Sequence, residues 1–158
     1  MGALADCEAI VDSFLGQRVN SITTLAFVVA AFVVWRWSTR VWVAIGLSLT
    51  GVGSFFFHGP MPSWAQVAHD VSLWFLVVIV IVEIGRDLLR TREWRPLVGP
   101  LTLLAVVAVI GRLGATGNPL CDPASIWQPH GLWHIGAATA VTWWAVATAP
   151  KTPMTDHS

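Results

Sequence analysis

Charge is scarce in this chain, and what there is cancels. Nine Lys and Arg stand against nine Asp and Glu in 158 residues, a formal net charge of zero, so no basic surplus points to a nucleic acid as partner. Cysteine is nearly missing: there are two, which leaves no thiolate cage for a softer metal. Internal repeats and low-complexity tracts are absent as well, so a single domain over 1–158 is expected. Nor does a basic region precede the first apolar run. That run starts near Ile22 behind an acidic segment, so no cleaved signal peptide is expected and the first helix should be retained.

Apolar residues dominate instead. Hydrophobic residues make up 55% of the chain and ten residues are Trp, a composition that excludes disorder and departs from ordinary soluble domains. The expected class is an integral, multi-pass membrane protein. A helix needs roughly 20 apolar residues to cross a bilayer, and the stretches at 20–37, 41–57, 64–85, 97–113 and 130–149 qualify. The expected fold is therefore all-α, a polytopic transmembrane bundle of about five helices. Gly59, Pro60 and Pro62 should stop the second helix, Ser63 with Gln66 reads as a capping box for the third, and Pro129 suits the first turn of the fifth. The turn formers of 114–128 make a loop. Residues 1–19 are expected to form a segment outside the membrane, and 150–158 a polar tail that includes His157.

Five crossings place the N-terminus and the loops that follow the second and fourth helices on one side. The opposite side receives Arg36, Arg40, Arg86, Arg90, Arg92, Arg95 and Lys151, against only Arg18 and Arg112 on the first. The positive-inside rule makes the arginine-rich side, with the C-terminus, cytoplasmic, and the first side extracytoplasmic. Cys7 and Cys121 both fall on that first side, where a disulfide persists, and a bond between them is expected over two unrelated thiols.

Topology also gathers polar residues out of the apolar segments. Ser54 and His58 in GVGSFFFHG, Asp70 in QVAHDVSLWF, and His130 and His134 in PHGLWHIGA all fall toward the extracytoplasmic side. Ionisable groups inside membrane segments are costly, so they read as functional. A single such histidine reads equally well as a packed, interhelical hydrogen-bonding residue; three beside an aspartate do not. His130 and His134 share a helical face, as do Ser54 and His58. Three neutral imidazoles with an open fourth position are the arrangement zinc enzymes use for hydrolysis. In that reading Asp70 orients or deprotonates the water and Ser54 hydrogen-bonds the water or the oxyanion. His69 should point roughly 100° away from Asp70 and read as structural or interfacial.

The run GVGSFFFHGPMPSWAQVAHDVSLW followed by HGLWH resembles the alkaline ceramidase family, within a superfamily of membrane hydrolases that includes the adiponectin and progestin receptors. CEAIVDSFLGQRVNSITTLAFV is similar to the N-terminus of that family, and the likeness covers most of the chain. It implies zinc ligands at His58, His130 and His134, supporting roles for Asp70 and Ser54, a lumenal disulfide that includes Cys7, and hydrolysis of the amide bond of ceramide or a related N-acyl lipid drawn from the bilayer. Two features depart from the family. It usually has seven crossings, whereas the interval from His58 to His130 holds two crossings and a loop, so this is a reduced version in which a homo-oligomer could replace the missing wall. The family's calcium site looks incomplete: Asp6 and Glu8 remain candidate oxygen ligands, but Gln17 stands where an acid is expected, and Asp6, Glu8 and Asp12 read better as a solvated acidic stretch.

Two other classes stay open, a receptor-like or structural member without turnover and a membrane haem protein with histidine axial ligands. Remaining features read as structure. Trp35, Trp37, Trp64 and Trp94 suit aromatic belts, Glu83 and Arg86 suit a helical ion pair, and Gly46, Gly51 and Gly53 suit close helix packing.

Overall fold

The computed structural model describes residues 6–149, and the tail read over 150–158, with His157, lies outside them. It is all-helical, with α1 (Arg18–Thr23), α2 (Leu25–Trp37), α3 (Val41–His58), α4 (Ala65–Thr91), α5 (Arg95–Leu113) and α6 (Pro129–Ala147). Only Thr24 separates α1 from α2, and together they form a span of 20 residues, Arg18–Trp37. The interruption has a local cause. Thr23 Oγ1 donates to the carbonyls of Val19 and Asn20, and Thr24 Oγ1 to that of Ser21, the kind of back-bonding that loosens a helical ladder.

Among the described residues four helical spans, Arg18–Trp37, α3, α4 and α5, are long and apolar enough to cross a membrane, which makes the chain an integral membrane protein. The fifth expected stretch does form a helix, α6, but falls outside that group. Its apolarity is diluted by His130, His134, Gly131 and Gly136, and much of its surface faces protein: Gly136, Ala137, Ala138, Ala140 and Trp144 are all buried. A helix enclosed by other helices can carry polar groups that a lipid-facing one cannot.

The helices pack in the order α4, α3, α2, α6, α5, and the two outer ones, α4 and α5, scarcely touch each other. Small residues set the spacing. A Cβ at Gly51 would lie 2.9 Å from Val28, and one at Gly53 would lie 2.8 Å from Ser72 Oγ, so α3 approaches both neighbours only because glycine occupies those positions. Phe27, Val34, Val43, Leu47, Leu76 and Trp144 form the buried centre.

Some helix ends differ from the sequence reading. α4 runs to Thr91, past the apolar limit at 85, because its last turns are polar yet keep their hydrogen bonds, and it ends at Arg92 in the left-handed region. The expected cap at Ser63 is displaced: a turn closed by Ala65 N–H on the Pro62 carbonyl moves the N-cap to Trp64, which has no side-chain cap. Pro129 does open α6. Trp35, Trp37, Trp64 and Trp94 are exposed near helix ends, and Arg86 Nη1 donates to Glu83 Oε1 at 2.6 Å.

Cys7 and Cys121 are bonded, with Cα atoms 5.5 Å apart. The bond fastens the N-terminal segment to the loop before α6. Cys7 N–H also donates to Thr116 Oγ1 at 3.1 Å, and Ala9 N–H to the Pro123 carbonyl. Because the bond spans 114 positions, a Cys7→Ser, Cys121→Ser variant should lose about 2 to 4 kcal/mol of stability. Denaturant unfolding of the two proteins in the same detergent measures this; equal midpoints would show that the segment is held without the bond.

Candidate metal centre

The site is assembled around the N-terminal segment. Glu8 accepts the Val19 and Asn20 N–H groups at 2.7 and 2.8 Å, one on each carboxylate oxygen, and so satisfies free donors in the first turn of α1. Both Glu8 oxygens therefore serve the helix. The segment also docks on the end of α3, with Gly16 N–H donating to the Gly59 carbonyl and Gln17 N–H to the His58 carbonyl. Gln17 is fully buried as a result.

His58 ends α3, while His130 and His134 occupy the first turns of α6. The three rings converge, with centroids 5.0, 5.2 and 4.6 Å apart, and one nitrogen from each lies within 4.8 Å of the other two. This is the only such grouping of His, Cys, Asp or Glu among the described residues, and it is a group that could hold a metal ion.

Hydrogen bonds decide which nitrogens face inward. Gln17 Nε2 donates to the Glu8 carbonyl at 3.0 Å, which turns Gln17 Oε1 toward His58 Nδ1 at 2.7 Å. An amide oxygen only accepts, so His58 carries its proton on Nδ1. Thr23 Oγ1 has one proton and directs it to the Val19 and Asn20 carbonyls, so it accepts from His134 Nδ1 at 3.1 Å. The Asp6 carboxylate lies between the other two rings, Oδ1 3.5 Å from His130 Nδ1 and Oδ2 3.8 Å from His58 Nδ1. Burial pushes the Asp6 carboxyl up to about 6. Each Nδ1 thus faces an acceptor, and each Nε2 is left with a lone pair, the tautomer metal-ligating histidines adopt.

The Nε2 atoms of His58 and His130 are buried with no hydrogen-bond partner. A polar atom left so is costly, and a cation taking both lone pairs, with that of His134, removes the cost. The residues fit a metal ion on this ground.

The other expected site residues lie around the group. Ser54 is buried one turn below His58. Asp70 lies at the edge: its Oδ1 is 2.9 Å from His69 Nδ1 and its side chain is half exposed. His69, expected to point elsewhere, instead stacks on Phe57 at 4.7 Å, with its ring 6.2 Å from that of His58. The inner stripe of α4 explains this. Ala65, Ser72 and Leu76 are its buried residues, and His69 continues their spacing while Asp70 falls one position off it.

Gln17, Thr23 and Asp6 as partners of the histidines were not legible in the sequence; the only signal for Gln17 was its place three residues before Asn20. No family model, curated protein or solved structure matches the chain.

Proposed function

We propose that this protein is a zinc-dependent membrane amidohydrolase of the alkaline ceramidase type, cleaving ceramide or a related N-acyl lipid. The observation that carries the reading is the set of three histidines at one end of a membrane bundle, each Nδ1 facing an acceptor, one nitrogen of each ring within 4.8 Å of the other two, and the Nε2 atoms of His58 and His130 buried without a partner. Three imidazoles suit zinc with an open position. The resemblance of the segments carrying Ser54, His58, Asp70, His130 and His134 to that family supports the substrate class. Rings only 4.6–5.2 Å apart favour a single small ion over a haem, whose macrocycle would have to lie between them.

Zinc, when bound, supplies an activated water and polarises the amide carbonyl. The chain does the rest. Gln17, Thr23 and Asp6 hold the histidine rings, and Ser54 offers a hydroxyl near the same end of α3. Asp70 holds the His69 Nδ1 proton through Oδ1, which leaves His69 Nε2 able to accept a proton and return it to the leaving amine. In this reading the histidine end, with the disulfide and the N-terminus, is extracytoplasmic and the arginine-rich end is cytoplasmic; a persistent disulfide supports that orientation.

The test is release of a long-chain base from a ceramide in detergent, with chelator abolishing it and zinc restoring it. The position of Asp70 at the edge of the group favours one second reading, a receptor-like member that holds the metal without turnover. Stoichiometric metal with no hydrolysis of any long-chain amide would select it.

A further inference from the structure

At the end of the bundle opposite the histidines, the turn between α2 and α3 and the adjoining parts of α4, α5 and α6 enclose a cavity of about 650 Å³. In its wall lies Arg40, whose side chain is only 6% exposed. Its Nη1 donates to Glu83 Oε2 at 3.0 Å, and its Nη2 donates to Asp87 Oδ2 at 2.7 Å and Thr148 Oγ1 at 2.9 Å. The guanidinium also lies 4.5 Å from the ring centroid of Trp144, and its Nε is buried without a partner. Sequence alone gave Arg40 a topological role only. Ionised groups buried at a membrane helix end are costly, and a cluster of them marks a site.

The charges of the lining decide the ligand. Arg40 answers two carboxylates, and Arg86 balances the surplus through Glu83. Arg90 and Glu93 then add one charge of each sign, both exposed. Within the lining itself guanidinium groups and carboxylates are equal in number, three of each, so a ligand carrying both signs finds a charge-assisted partner for each of them. The cavity lies at the ends of membrane-crossing helices, the depth of the headgroup layer. Val43 and Leu97 give it an apolar wall continuous with the core.

We infer that this cavity binds the headgroup of a zwitterionic phospholipid bearing a primary ammonium, of the ethanolamine type. The phosphate meets Arg86 and Arg90, the ammonium meets Glu93, and an acyl chain follows the apolar wall. A primary ammonium donates up to three hydrogen bonds to carboxylates. A quaternary one donates none and needs an aromatic cage, for which the lining offers Trp42 and no second aromatic residue.

This inference is independent of the histidine centre, and its failure would leave the hydrolase reading untouched. The full chain in detergent is titrated with phosphatidylethanolamine, phosphatidylcholine or phosphatidylglycerol of the same acyl chains, and thermal unfolding is followed by Trp fluorescence. Phosphatidylethanolamine should give half its maximal shift at roughly tenfold lower mole fraction than the other two, the size of one charge-assisted contact. Arg90→Gln and Glu93→Gln, both at exposed positions, should each abolish the preference while leaving the metal content of the histidine centre unchanged. Equal half-points for the three lipids, or a preference that survives both substitutions, would overturn the site. Soluble phosphoethanolamine acting at the same concentration as the lipid would overturn the lipid as its source.

Discussion

Replacing His134 with alanine is expected to strip the protein of its metal, because the ion would lose a ligand whose lone pair is fixed by Thr23 and would retain only two imidazoles. About one zinc per chain is expected in the parent after dialysis, measured by elemental analysis. Gln17→Leu and Thr23→Val should be milder. Each removes only the acceptor that orients a ring, a change that weakens metal affinity roughly 10- to 100-fold, so these two should lose zinc at intermediate chelator strength and the His134 variant without chelator. The ranking separates orientation from ligation. A triple alanine variant of His58, His130 and His134 that kept stoichiometric zinc would sink the assignment of the centre.

That ranking involves residues of different legibility. The three histidines stood out because an imidazole inside an apolar run has few reasons to be there, and because His130 and His134 fall one turn apart on a helix. Gln17 and Thr23 did not, since glutamine and threonine near the start of a helix are ordinary. Their roles exist only once the N-terminal segment folds back and the disulfide to Cys121 holds it beside α3 and α6. Glu8 read as part of a solvated acidic stretch for the same reason: an acid in a loop shows no sign that both its oxygens will cap a neighbouring helix.

The helices follow the same division. Apolar length marked the spans well, because hydrocarbon demands it. The polar last turns of α4 and the break at Thr24 depend on hydrogen bonds that hydropathy does not see. Arg40 read as a marker of topology, and its burial between Glu83 and Asp87 follows from how α3 leans on α4, where glycines permit a close approach. The face of α4 is the clearest case. Periodicity gave a helix, but which of two adjacent polar residues points inward is set by the stripe that packs on α3, and that stripe includes His69.

Asp70→Asn should therefore keep zinc nearly stoichiometric while lowering turnover of a long-chain amide by roughly 10² to 10⁴-fold, the usual size of general acid–base catalysis. The route of the proton gives this prediction its sharper form. Asp70 Oδ1 lies 2.9 Å from His69 Nδ1, and it is the His69 ring that packs beside His58. If Asp70 acts through His69, then His69→Ala should lose as much activity as Asp70→Asn, and the double variant should be no worse than either, since residues that act as a unit are strongly non-additive. If Asp70 instead reached the substrate directly, the two losses would multiply. Ser54→Ala should cost less than either, because water can replace part of a hydroxyl's role. The measurement is a double-mutant cycle on turnover with zinc content determined on the same samples. Full activity in Asp70→Asn would rule out the aspartate as a member of the proton path and leave the metal centre to act without it.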